Sequence, residues 1–178
     1  MILVLNICKE VLHSLEFVKP IEDIIKRNGS NYVTHKYDEI EEKKIIKFDK
    51  VIICGTSLYD SFYLKNIERF KWIKSFKKPI LGICAGMQIL LLINGGTLHK
   101  NKEIGLKRIY FKKEFLGLNR EVEVYELHKY YVSSKKVNVY AESSFCPQAI
   151  KFRDYPYYGV LFHPEVRNKI LINEFISQ

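Results

Sequence analysis

Pro79-Ile80-Leu81-Gly82-Ile83-Cys84-Ala85-Gly86-Met87-Gln88 decides the fold of this 178-residue chain. Ile80, Leu81 and Ile83 form the short apolar run expected of a central strand buried on both faces. After Cys84 the apolar positions change to Met87, Leu90, Leu91, Leu92 and Ile93, which suits a buried helix at a 3.6-residue period. Cys84 therefore stands at a strand-to-helix junction, with Gly82 and Gly86 two residues to either side. Small residues there let the backbone turn sharply and lift the side chain out of the sheet, as in the nucleophile elbow written with serine. A thiol at a helix N-terminus faces unpaired N–H groups and the positive end of the dipole, and both favour the nucleophilic thiolate. The spacing alone is also met by a buried structural cysteine.

A second stretch adds a base. Tyr157-Tyr158-Gly159-Val160-Leu161-Phe162 runs straight into His163-Pro164-Glu165. Pro164 biases His163 toward an extended backbone, and residues i and i+2 of an extended segment project to the same side. Glu165 is thus placed to hold one imidazole nitrogen while the other faces a nucleophile, which is the logic of a triad.

On these two motifs the sequence resembles the class I glutamine amidotransferase family, the triad glutaminases. The family elbow Gly-x-Cys-x-Gly-x-Gln matches Gly82 to Gln88, and its Phe-His-Pro-Glu matches Phe162 to Glu165. The resemblance implies Cys84, His163 and Glu165 as the catalytic residues, with no metal. The family usually carries Gly-Gly-Pro after its third strand, and Cys54-Gly55-Thr56 stands there in this chain. The N–H groups of Gly55 and Ala85 would then form the oxyanion hole. Gln88, one turn beyond Cys84, would contact the substrate L-glutamine. Leu127-His128-Lys129-Tyr130 aligns with the segment that holds the amino and carboxylate groups of glutamine, so Lys129 and Tyr130 take that role by resemblance. Lys129 stands where the family usually has glycine or serine. His128 by itself reads as structural or surface-exposed.

The whole chain, residues 1–178, reads as one compact domain with an ample core, at 47% hydrophobic and 28% charged residues. Strands are expected at 1–8, 31–37, 51–54 and 80–83, and helices at 11–27 and 60–76, with Pro20 a candidate break in the first helix. This alternation predicts an α/β fold with a parallel sheet covered on both faces. After Gly95-Gly96 the character changes. Short strands are expected at 106–112, 121–127, 137–141, 148–153 and 158–162, mostly antiparallel, before a closing helix at 169–176. The family resemblance implies the same flavodoxin-like, three-layer arrangement, with a mostly parallel central sheet and the site at the carboxyl ends of its strands.

Composition excludes several classes. No apolar run reaches the roughly 18–20 residues that span a bilayer, and Met1 is followed by Ile-Leu-Val-Leu without a basic leader, so no signal peptide is expected. Cys8, Cys54, Cys84 and Cys146 have no metal-type pairing, and reduced thiols in the cytoplasm are expected. The net charge of +9 comes from scattered lysines. No nucleic-acid module is legible, and a solvated basic surface or one facing an acidic partner fits better.

Residues 141–165 look most like the glutaminases of GMP synthases. No synthetase domain with a phosphate-binding loop is present. The resemblance therefore implies a separate glutaminase subunit, as in archaea, feeding ammonia to an ATP-pyrophosphatase-type synthetase that holds ATP and Mg²⁺. The expected reaction is glutamine hydrolysis through a cysteine thioester, in support of GMP formation from XMP. Two alternatives remain open on sequence: a stand-alone γ-glutamyl hydrolase, and a catalytically silent regulatory subunit.

Overall fold

The computed structural model describes residues 1–178. Nine strands form one mixed sheet: β1 (Ile2–Asn6), β2 (Tyr32–Lys36), β3 (Lys50–Ile53), β4 (Ile80–Ile83), β5 (Thr97–Phe115), β6 (Leu118–Ser133), β7 (Val137–Glu142), β8 (Pro147–Phe152) and β9 (Tyr157–Val160). Their order is β2-β1-β3-β4-β9-β8-β7-β5-β6. The first five in that order pair in parallel and the rest antiparallel. The α/β class and the parallel first half agree with the sequence reading.

Alternating side chains explain the layering. On one face Val4, Ile52, Leu81 and Val160 pack with α1 (Val11–Phe17), α2 (Lys19–Arg27) and α6 (Lys169–Ser177) through Phe17, Ile21, Ile25, Leu171 and Phe175. On the other face Leu3, Leu5, Val51 and Ile53 meet Tyr63, Phe70, Ile73, Ile89 and Leu90. Those residues come from α4 (Phe62–Lys65), a 3₁₀ helix at Ile67–Lys74 and α5 (Ala85–Ile93), with the short α3 (Glu42–Ile45) alongside. No helix is long and apolar enough to cross a membrane.

Three segments differ from the sequence reading. The first helix is two helices, and the break falls at Val18, just ahead of Pro20 in the first turn of α2, where proline lacks nothing the helix needs. The expected helix at 60–76 is a single α-turn followed by the 3₁₀ helix. The strands expected at 106–112 and 121–127 are the middle of a long hairpin of 19 and 16 residues. Its tip, Leu116-Gly117, has both residues at positive φ (48° and 77°), as a tight hairpin turn requires.

The parallel register aligns the strand ends. Leu5, Ile53, Gly82 and Gly159 lie in one row across β1, β3, β4 and β9. The residues just past that row, including Gly55, Cys84 and His163, gather at one edge. The sheet curls enough that β6, its far edge strand, returns over the same edge. There the Tyr125 carbonyl accepts the His163 N–H at 2.9 Å.

Candidate active site

Cys84 occupies the N-cap of α5 with φ 49° and ψ −106°. A non-glycine residue held there stores about 1–3 kcal/mol of strain. The strain is imposed by close packing on both sides. A Cβ on Gly82 would come within 2.6 Å of the Gly86 carbonyl carbon, and one on Gly86 would collide with the Ile53 carbonyl oxygen. The turn is thus clamped between β3 and β4, and the thiol is lifted out of the sheet. Its Sγ donates to the Leu127 carbonyl at 3.6 Å. Ala85, the first residue of α5, carries one of the N–H groups that a helix start leaves without an intrahelical partner.

His163 is fully buried, and its Nδ1 lies 2.6 Å from Oε1 of Glu165. The expectation that residues i and i+2 would face the same way is met. The other ring nitrogen, Nε2, is buried with no hydrogen-bond partner. Burial works against charge on this ring, but the Glu165 carboxylate and the Cys84 sulfur outweigh it and hold the imidazole well above its ordinary range. Phe17, from α1, packs its ring 5.2 Å from the imidazole.

Gly55 lies between the two motifs. A Cβ there would approach Cε1 of His163 to 2.6 Å and Cβ of Cys84 to 3.4 Å, so no larger residue fits. The loop that carries it has no proline, and side-chain bonds fix it instead. Asp60 accepts from the Thr56 hydroxyl at 2.7 Å and the Lys9 N–H at 2.9 Å through Oδ2, and from the Phe62 N–H at 3.2 Å through Oδ1. The Cys8 thiol donates to the Gly55 carbonyl at 3.7 Å. Burial pushes the Cys8 thiol up to about 11 and the Cys54 thiol well above its usual value.

Gln88 faces the pocket beside Cys84, yet both ends of its amide are held by the protein. The Tyr63 hydroxyl donates to its Oε1, and its Nε2 donates to the Tyr130 carbonyl at 2.8 Å. Burial keeps the Tyr63 phenol protonated, and hence a donor, by raising its pKa well above the usual value. Lys129 and Tyr130 line the same pocket. The Lys129 ammonium sits 5.8 Å from the Tyr59 ring centre and 5.3 Å from that of Tyr130, a cation–π arrangement at the mouth. The cavity left between these groups is about 20 Å³, enough for about one water.

His128 is buried in the pocket wall, the structural one of its two expected readings. Its Nε2 lies 3.4 Å from Glu103 and 3.2 Å from Glu126. Burial raises the Glu126 carboxyl, and His128 opposes that only in part. Glu103, His128 and Cys146 bring donor atoms within 4.8 Å of one another, a spacing that invites a metal ion. The donors argue otherwise. One Glu103 oxygen already accepts from Ser143 at 3.0 Å, Gln148 at 3.1 Å and the Cys146 thiol at 3.2 Å. That thiol is pushed up to about 12, with burial the largest cause. Glu103 is thus held by hydrogen bonds from Ser143, Gln148 and Cys146, and His128 packs against it from the segment that bears Leu127 and Lys129.

The structure thus brings together every residue singled out by sequence: Cys84, His163, Glu165, Gly55, Ala85, Gln88, Lys129 and Tyr130. Sequence reasoning missed Phe17, Asp60, Tyr63 and Tyr125. Phe17, Tyr63 and Tyr125 reach the site from other elements, whereas Asp60 lies in the same loop as Gly55; only the apolar position of Phe17 on α1 left any signal.

The family model for Glutamine amidotransferase class-I matches residues 13–177. The chain is 33% identical over 168 residues to the glutamine-hydrolyzing GMP synthase subunit of Pyrococcus furiosus, covering 80% of this chain and 88% of that one. It is 38% identical over 158 residues to the protein of the same name from Methanocaldococcus jannaschii, covering 81% and 78%. Among solved structures, a Thermoplasma acidophilum protein described as a GMP synthase subunit superposes with a TM-score of 0.87 at 22% identity, over 99% of this chain and 92% of that one. A glutamine amidotransferase from Thermotoga maritima gives 0.73 at 19% identity, over 99% and 80%. These two show the likeness of fold.

Proposed function

The chain belongs to the glutamine amidotransferase class-I family, whose members hydrolyse glutamine, and from that premise we propose a cysteine-thioester mechanism built on Cys84, His163 and Glu165. Cys84 passes its thiol proton to Nε2 of His163 as its sulfur attacks the side-chain amide carbon of L-glutamine, and the carbonyl oxygen takes up the negative charge. N–H groups of Gly55 and Ala85 face that oxygen, each contributing about 3–4 kcal/mol of transition-state stabilisation. The tetrahedral intermediate breaks its C–N bond as His163 gives a proton to the departing ammonia. A water molecule, deprotonated by His163, then attacks the thioester and releases glutamate with the thiol restored. Glu165 orients the ring and stabilises its charged form. No step is assigned to a metal.

Gln88, Lys129 and Tyr130 bind the substrate in this reading. The Gln88 amide bonds to Tyr63 and Tyr130 must rearrange to admit glutamine, because a cavity of about 20 Å³ is too small for it. Residues 1–178 act as one catalytic unit that sends ammonia to a separate ATP-pyrophosphatase-type synthetase. That partner would hold ATP and Mg²⁺ and make GMP from XMP in purine biosynthesis. The curated relatives, named as glutamine-hydrolyzing subunits of GMP synthases, support that choice.

The observation that carries the mechanism is the placing of a strained, positive-φ Cys84 and a buried His163–Glu165 pair on either side of Gly55. Glutamate release would be assayed for the purified chain alone, then with the synthetase, ATP, Mg²⁺ and XMP. Stimulation by the complete mixture is expected. Full activity alone, unchanged by the synthetase, would instead favour an independent hydrolase.

A further inference from the structure

We propose that the outward face of α1 is the docking surface for the ammonia-consuming synthetase, with Phe17 on its inward face carrying the effect of docking to His163. This rests on the glutaminase reading above. Val11, Leu12 and Leu15 are 75%, 69% and 61% exposed. At positions i, i+1 and i+4 of one helix they form a single stripe about 100° wide. Such a stripe belongs against protein, and on a soluble chain it marks an interaction site. Yet α1 packs only its other side, where buried Phe17 lies against the His163 ring.

The surroundings say what fits. Beside α1 runs a groove of about 450 Å³, walled by Lys9 and His13 on one side and by Tyr59 and Phe62 on the other. Tyr59 is 87% and Phe62 43% exposed. Groove and Cys84 pocket share Ser57 and Asp60, so a partner seated in the groove sits at the mouth from which ammonia leaves. Glu10 is paired with Lys9 at 3.6 Å, whereas Lys65 and Lys129 have no ion-pair partner and Glu16 is the unpaired acid on the helix. The surface therefore suits an apolar ridge flanked by carboxylates. A synthetase that must capture ammonia before it escapes has reason to sit here, more than a second copy of this cationic chain.

α1 is suited to respond. It has seven residues, no side-chain N-cap, no acidic residue in its first turn and no basic one in its last, so packing holds it more than its own helix stability does. A partner that clasps the outer stripe fixes the helix, and Phe17 then fixes the imidazole beside Cys84.

The test compares wild-type chain with Val11→Asp and Leu15→Asp. Sedimentation with the synthetase reads binding, and alkylation of Cys84 by a glutamine-like electrophile without partner reads the intact site. The expected result is binding about 30-fold weaker or worse, the effect of losing a central anchor, with Cys84 alkylation unchanged. Phe17→Leu should bind normally and lose the partner's stimulation of glutamate release. Wild-type affinity in both α1 variants overturns the docking face. Undiminished stimulation of Phe17→Leu overturns the coupling. A wild-type chain that alkylates at Cys84 but binds no synthetase overturns both while leaving the glutaminase chemistry standing. Self-association of the chain that Leu15→Asp abolishes would assign the face to a second copy and overturn the proposal.

Discussion

Nδ1 of His163 and Oε1 of Glu165 lie 2.6 Å apart, and neither side chain is reached by solvent. A charged imidazole in that setting depends on its carboxylate. Glu165→Gln is expected to lower the rate of glutamate release by about 10²–10⁴-fold with the fold retained. It should also change the pH response of stability. A ring whose folded pKa is raised stabilises the fold fully below its unfolded value, and that contribution is lost as pH rises through the folded value. Urea titrations from about pH 5 to about pH 9 should show this loss in the wild type and much less of it in the variant. Equal turnover in the two proteins would remove Glu165 from the mechanism.

Among four free thiols, only Cys84 is expected to react quickly with a glutamine-mimicking electrophile. Burial pushes Cys8 up to about 11 and Cys146 up to about 12, and Cys54 also lies well above its usual value. These three stay protonated near neutral pH, and the thiolate is the reactive form. Peptide mapping by mass spectrometry after brief labelling reads the outcome. Faster labelling at any other cysteine would contradict the assignment.

Asp60 is expected to act through the Gly55 loop. Asp60→Ala removes the acceptor for the Thr56 hydroxyl and for the N–H groups of Lys9 and Phe62. A loop displaced by about 1 Å costs about 10²-fold in rate, so kcat should fall by up to that factor while KM changes little. Asp60→Asn keeps part of the bonding and should recover part of kcat. Steady-state kinetics of the two variants checks this, and an Asp60→Ala protein with wild-type kcat would show that the loop holds without it.

Glu126 is expected to make the fold less stable as pH rises. Its carboxyl is buried and its pKa raised, with desolvation the largest cause. The folded chain therefore keeps this proton where the unfolded chain has lost it, and stability falls as pH climbs above about 4.5 through that window. Glu126→Gln should flatten the decline and be the more stable protein at about pH 8. Thermal melts at about pH 5 and about pH 8 compare them. A parallel decline in both would place the ionisation elsewhere.

The elbow was legible because its glycines and its change of period report backbone geometry directly, and His163-Pro164-Glu165 because extended residues two apart must share a side. The parallel half followed from apolar runs buried on both faces. Leu64, Ile67, Phe70, Ile73 and Phe76 suggest one helical face over 60–76, but they recur every third residue, which is the period of the 3₁₀ helix actually formed. The long hairpin hid its ends because β5 alternates buried Ile109 and Phe111 with exposed charged or polar neighbours, and beyond them few positions are buried at all. A register shift between Lys100 and Glu103 broke the alternation further. Phe17 and Tyr63 meet partners on other elements, and no local spacing encodes a contact across the sheet edge. Asp60 bonds mainly within its own loop, where no period is present to read.

The pairing of β4 with β9 joins Ile80–Ile83 to Tyr157–Val160, two segments made far apart in time during synthesis. Cys84 leaves the ribosome early, attached to a strand that has β3 beside it but whose second neighbour does not yet exist. Until β9 inserts between β4 and β8, no base stands near the thiol and no Glu165 steadies that base. Pairings of such sequence separation also form slowly. A nascent or partly folded chain therefore carries Cys84 with neither a base nor an orienting carboxylate beside it. Chain order alone delays assembly of the triad.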